Sequence, residues 1–341
     1  MAKNKVLIIR FSSFGDIVQC SSIVELFDRK FAGDVQIDWV TRKEFVSLVQ
    51  LNKKLSKVIG FDRKLGIFGL LKLAYFLTKE NYSFVYDAHN NVRSKIIVLF
   101  LRILSTKTKI ITRPKDRLKR ILLFWFRKNY FDYPFKGIHS YQRPLKDFLN
   151  LKKFTVEVDY DFSNVKLNNK REIGQKEIIL VPSAAWEMKR WPLEYWLKLA
   201  ILLKENSLYI LGGKEDTFCE EFEKLNLPKL QNLAGKLSLI ESAFLISKAD
   251  LVISGDTGLL HVADVLKKPG LSLMGPTAFG FTSNDSIKTL EVPLACRPCT
   301  KDGSGKCHQQ VYKKCLVDLS PELVFEEAKT KLSFAFPTKD D

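Results

Sequence analysis

The sequence predicts an α/β protein of two doubly wound domains facing a cleft, and three observations carry that expectation. Short apolar runs alternate with stretches of helical spacing in two separate series. A polar stretch divides the series. A chain of 341 residues is too long for one ordinary core and suits two domains of roughly 150 residues each. Series of βαβ units fold as doubly wound parallel sheets, which bind ligands outside the carboxyl ends of their strands.

The first series opens with Lys5-Val-Leu-Ile-Ile-Arg10, a continuous apolar run of the kind buried on both faces of a parallel sheet. A helix pattern covers 17–31. Strands are expected at 35–40 and 84–87, with helical stretches between them. At 164–176 the composition turns to Asn, Lys, Arg, Glu and Gly, which marks a linker between an N-terminal domain, 1–163, and a C-terminal one, 177–323. The second series places strands at 177–181, 207–211, 251–254 and 271–274. Its helices fall at 193–204, 240–247 and 259–266, and 324–341 reads as a C-terminal helix and tail.

Lys and Arg number 55 against 38 Asp and Glu, for a formal charge of +17. That excess favours acidic partners such as nucleic acid, anionic lipid or a phosphorylated substrate. Only four apolar residues separate Lys5 from Arg10, too few for a signal-peptide core, and Arg102 interrupts the longest apolar run, 96–104. A cytoplasmic protein with reduced cysteines is expected. The basic excess concentrates in 107–133, where nine cations by Lys128 accompany one acid and then Phe124, Trp125 and Phe126. This stretch reads either as an amphipathic helix for an anionic membrane surface or as a solvated helix packed on the first domain.

Three loops carry the chemistry. Phe11-Ser-Ser-Phe-Gly-Asp16 follows the first strand with only Gly15, which is no dinucleotide fingerprint and argues against an NAD-dependent oxidoreductase. Asp16 is either a helix cap or a general base. The second loop, 182–192, presents Lys189 and Arg190 before a helix and suits an anion. In the third, Ser254-Gly-Asp-Thr-Gly-Leu-Leu-His261, Gly255 and Gly258 permit close backbone approach, Asp256 and Thr257 form a capping pair, and His261 lies one turn into the helix. Two anion sites on one domain are what a nucleotide diphosphate requires.

IIRFSSFGDIV, PSAAWEMKRWP and ISGDTGLLHVADVL followed by Leu-Met-Gly275-Pro-Thr277 resemble, in order and spacing, the glycosyltransferase family of the lipopolysaccharide heptosyltransferases. The resemblance spans nearly the whole chain to Leu323. It implies a GT-B architecture of two Rossmann-like domains and an inverting transfer of heptose from ADP-heptose to the lipopolysaccharide inner core, onto Kdo or heptose. By motif, Asp16 matches the catalytic base, with Ser12, Ser13 and Gly15 in the same acceptor loop. Lys189 matches the diphosphate-binding lysine, and Asp256, Thr257, Gly258, Leu259 and His261 match the nucleotide-diphosphate loop. Glu215 matches a ribose-binding carboxylate, and Leu237 falls where an apolar residue borders the adenine.

The resemblance further implies catalysis without a divalent metal, with a nucleotide sugar and a lipid A-core acceptor as partners and no specific nucleic acid. The site of work would be the cytoplasmic face of the inner membrane. This chain departs from the family at Ser183 after Pro182, at Gly255 and at Asp264. Another nucleotide sugar, a protein acceptor, or an idle lipid- or nucleic-acid-binding module on the same scaffold are the alternatives. Finally, Cys296, Cys299, Cys307 and Cys315 follow a C-x2-C-x7-C-x7-C spacing. Similar cysteines occur in some relatives, and the group reads as a structural zinc or iron site, free thiols or disulfides.

Overall fold

The computed structural model describes residues 4–167 and 175–334. Most of the expected linker, 168–174, and the end of the expected tail, 335–341, lie outside the described residues. The chain divides into two compact units. The first runs to Arg117 and resumes over Ile138–Asn164, and the second comprises Leu118–Gly137 and everything from Val165 onward.

In the first unit β1 (Asn4–Ile9), α1 (Phe14–Lys30), β2 (Val35–Arg42), the single turn α2 (Val46–Val49) and β3 (Leu55–Phe61) are followed by α3 (Gly66–Lys79), β4 (Phe84–Asp87), α4 (Val92–Leu104) and β5 (Lys109–Thr112). All pairings are parallel, in the order β3-β2-β1-β4-β5. Val6 through Ile9 are wholly buried, as a central strand covered on both faces demands. α3 and α4 sink Leu70, Ala74 and Leu77, and Ile97, Val98 and Leu101, onto Leu7, Ile9 and Val85. The crossovers reverse direction between β1 and β4, so the loops after these strands occupy the topological switch point.

The chain next forms α5 (Arg117–Phe126) in the second unit and returns to the first for α6 (Gly137–Gln142) and α7 (Lys146–Leu149). The basic stretch is therefore divided, 107–117 belonging to the first unit and 118–133 to the second. Phe124 meets Phe279 edge-on at 6.1 Å, and the Arg120 guanidinium lies 4.7 Å from the same ring.

The second unit orders β6 (Glu177–Val181), α8 (Leu193–Leu202), β7 (Ser207–Ile210), β8 (Leu230–Asn232), α9 (Leu239–Lys248), β9 (Leu251–Gly255), α10 (Gly258–Val265), β10 (Gly270–Met274) and β11 (Ile287–Glu291). α11 (Lys314–Val317) and α12 (Pro321–Phe334) follow. Its six parallel strands run β11-β10-β9-β6-β7-β8, with the reversal between β6 and β9. Both sheets are thus doubly wound, and the α/β class stands. Among the described residues no helix is long and apolar enough to cross a membrane.

Candidate active site

In the first unit Asp16 occupies the third position of α1, whose N-cap is Ser13. Its Oδ2 accepts from the Ser13 hydroxyl at 2.8 Å and, more weakly, from the Ser13 backbone N–H at 3.4 Å. The helix start thereby orients the carboxylate, so the capping and functional readings are not exclusive. The remaining ligands come from afar. Arg10 pairs with Oδ2 at 2.7 Å, and the Tyr141 hydroxyl donates to Oδ1 at 2.7 Å.

Arg10 is anchored by donation to the Ala88 carbonyl at 2.8 Å. Tyr141 lies under the Arg113 guanidinium, 4.0 Å from the ring centroid, and Arg113 is fixed by the Ser140 hydroxyl at 2.6 Å. Burial alone would push the Asp16 carboxyl up. Arg10, Tyr141, Ser13 and Arg113 outweigh burial and hold it well below the usual carboxylate range. The side chain still keeps 39% of its surface accessible, so an ionised oxygen remains open to a ligand. His89 stands on the neighbouring loop after β4, where burial, aided by Arg10 and Lys115, pulls its imidazole down to about 3 and keeps it neutral.

In the second unit the loops after β6 and β9 meet at the switch point. Lys189 Nζ pairs with Asp256 Oδ2 at 3.0 Å, and the Thr277 hydroxyl donates to the same oxygen at 2.6 Å. His261, buried one turn into α10, adds positive potential, and these three overcome burial to depress the Asp256 carboxyl. Thr257 is the N-cap of α10, accepting from the Leu260 N–H at 3.4 Å. Gly258 and Leu259 form the helix's first turn, whose backbone donors and dipole favour an anion.

Arg190 turns elsewhere. It donates to the Ala184 carbonyl at 2.9 Å and to Asp216 at 3.2 Å, which makes it a brace rather than an anion ligand. Glu215 stands exposed on the turn after β7, and Leu237 is half-buried just before the Ser238 cap of α9. Their loops touch where the Gly235 N–H donates to the Gly212 carbonyl at 3.0 Å.

Sequence reasoning gave no site role to Tyr141, Gly280 or Gly303, and it quoted Thr277 within a motif without assigning its contact to Asp256. A Cβ at Gly280 would fall 2.1 Å from the Asp256 carboxyl carbon. Gly303, at φ +96°, closes over the Lys189 stem, where a Cβ would lie 2.6 Å from two of its carbons. Gly255, a departure from the family pattern, lets the Lys189 carbonyl approach to 3.3 Å of where its Cβ would stand. Asp264, a further departure, lies within α10, is wholly buried and accepts from the backbone N–H groups of Ser283 at 2.8 Å and Asn284 at 2.7 Å.

The expected structural metal on Cys296, Cys299, Cys307 and Cys315 is not supported. Among the described residues no three His, Cys, Asp or Glu side chains are grouped to hold an ion. The Cys307 sulfur is instead taken by the Lys313 N–H at 3.3 Å, and Cys315 sits in the apolar core, its thiol pushed up to about 11 by burial. All four are free thiols.

The profile of glycosyltransferase family 9 (heptosyltransferase) matches residues 70–312. The chain is 28% identical to a lipooligosaccharide heptosyltransferase 2 of Campylobacter jejuni, over 93% of this chain and 95% of that protein. It is also 28% identical to a lipopolysaccharide heptosyltransferase 1 of Campylobacter coli, over 80% and 84%. Its fold is similar to that of Escherichia coli ADP-heptose LPS heptosyltransferase II, with a TM-score of 0.72 at 18% identity, covering 96% of this chain and 98% of that one.

Proposed function

The chain belongs to glycosyltransferase family 9, the heptosyltransferases, and on that premise we propose that it transfers heptose with inversion from ADP-heptose to the lipopolysaccharide inner core. Relatives named both heptosyltransferase 1 and 2 are similar to it, so either Kdo or a first heptose suits as the acceptor. The observation that carries this reading is Asp16, an accessible carboxylate kept ionised by Arg10 and Tyr141.

Asp16 takes the proton of the acceptor hydroxyl as that oxygen attacks the anomeric carbon from the face opposite the nucleotide. A carboxylate so well stabilised is a weak base. Proton transfer therefore comes late, after the sugar has gained oxocarbenium character. Charge building on the departing diphosphate is met by Lys189 and by the N-terminal turn of α10 with His261, groups held in place before the reaction begins. An arriving diphosphate competes with Asp256 for Lys189, which keeps the ammonium paired until the donor binds. Glu215 and Leu237 serve the ribose and adenine.

The acceptor is lipid-anchored, which places the enzyme at the cytoplasmic face of the inner membrane. The test is release of ADP from ADP-heptose with truncated lipopolysaccharide acceptor, set against release from other nucleotide sugars and without acceptor. Acceptor-dependent release from ADP-heptose alone supports the reading, and preference for a different nucleotide sugar overturns it.

A further inference from the structure

The outward faces of α3 and α4 are apolar where a solvated helix is polar. The two helices pack side by side over one face of the first sheet, with their inner residues in the core. On the opposite side Phe68 is 82% exposed, Tyr75 52%, Leu99 54% and Ile103 64%. Their spacing of seven residues on α3 and four on α4 aligns each pair along one stripe. Lys72, Lys79, Lys95 and Arg102 on the same helices are exposed, whereas Lys64 and Arg93 share a hollow with Glu44 and Asp62. No Asp or Glu occurs in 63–79 or in 88–115.

The occupant must therefore accept an apolar face whose own helices carry only cations. A second copy of the chain would bring cations against cations. Nucleic acid would leave the four apolar side chains without a role. A bilayer containing anionic phospholipid satisfies both features, the apolar side chains entering the acyl boundary and the cations meeting phosphates. α5 suits this less well, because three cations of its stretch, although Lys119 and Arg127 stay exposed, are already engaged within the second unit. Arg120 covers Phe279, Lys119 lies over Phe131, and the following Arg127 donates to the Pro298 carbonyl. α3 and α4 also follow β3 and β4, so their N-terminal ends lie at the carboxyl edge of the sheet that carries Asp16.

We infer that the α3–α4 face docks this protein on an anionic bilayer, bringing the Asp16 edge to the membrane surface. The inference deepens the proposed transfer to a lipid-anchored acceptor and rests on it for its purpose. It is tested by cosedimentation with phosphatidylcholine vesicles, with and without phosphatidylglycerol. The full chain should sediment with the anionic vesicles alone and leave them as the screening length falls below about 10 Å. Phe68→Ser with Ile103→Ser should weaken binding by about tenfold per side chain. Lys72→Glu with Arg102→Glu should weaken it by about fivefold or more per site. Both variants should keep the wild-type Tm and the wild-type rate of ADP release with a deacylated, water-soluble acceptor.

Wild-type vesicle binding by both double variants would overturn the inference. So would loss of binding in Trp125→Ser alone, equal binding to neutral vesicles, or a soluble dimer that the double variants dissociate. Absence of ADP release from the wild type beside intact, face-dependent vesicle binding would instead sink the transfer reading and leave the docking face standing.

Discussion

The hydroxyl of Tyr141 donates to Oδ1 of Asp16 at 2.7 Å, and the two residues are joined only through the fold, 125 positions apart. With Arg10 on the other oxygen, the carboxylate is held ionised and aimed from both sides. Tyr141→Phe removes one of these donors without changing the shape of the ring. A depressed carboxyl contributes stability that is present above its unfolded pKa and lost as pH falls through the folded one. The variant should thus lose about 1 kcal/mol at neutral pH, and the acid limb of its kcat/KM profile should move to higher pH. An acid limb identical to that of the wild type would show that Tyr141 does not tune Asp16.

Lys189 and Asp256 make a second pair with opposite consequences. Lys189→Ala should weaken ADP binding by about 10- to 100-fold, the worth of a charge-assisted hydrogen bond. It should also destabilise the fold, because Asp256, only 8% exposed, is left without its cation. Adding Asp256→Asn should restore stability but not ADP affinity. Calorimetric titration with ADP beside thermal melting separates the two effects, and unchanged ADP affinity in Lys189→Ala would remove the diphosphate role.

Asp264 supplies the pH dependence. Burial pushes its carboxyl up to about 7 despite the backbone N–H groups of Ser283 and Asn284. Between its unfolded pKa of about 4 and about 7, the folded state binds the proton and the unfolded state does not. Stability from this group therefore falls as pH rises through that window. Asp264→Asn should flatten the slope of unfolding free energy over it, measured by urea titration at several pH values. A slope that survives the substitution would place the titrating group elsewhere.

The parts of this fold that sequence made legible are those written in local pattern. The run Val6–Ile9 is a central strand because continuous apolar residues need cover on both faces. Asp16, Lys189 and Asp256 could be read as candidates because each follows such a strand, and parallel strands deliver their loops to one edge. β8, only three residues long, offers no period to read. Tyr141 escaped because α6 is a short helix of no distinctive spacing, and its meeting with Asp16 is a product of chain return. The membership of 118–137 in the second unit is likewise a matter of connectivity. Phe124 reads as apolar in the sequence, but only the fold shows that its partner is Phe279. Spacing alone left metal, free thiols and disulfides open for the cysteine group, and only the fold shows Cys315 in the core.

The central claim is that Asp16 takes the proton in a transfer from ADP-heptose, and its most direct test is the turnover of Asp16→Asn against wild type. Release of ADP from ADP-heptose with acceptor is the readout, corrected for the folded fraction. The account predicts a loss of about 10²- to 10⁴-fold in kcat with ADP affinity nearly unchanged. Stability should fall as well, because Arg10, only 6% exposed, is left without its anion. Full specific activity in the folded variant would contradict it.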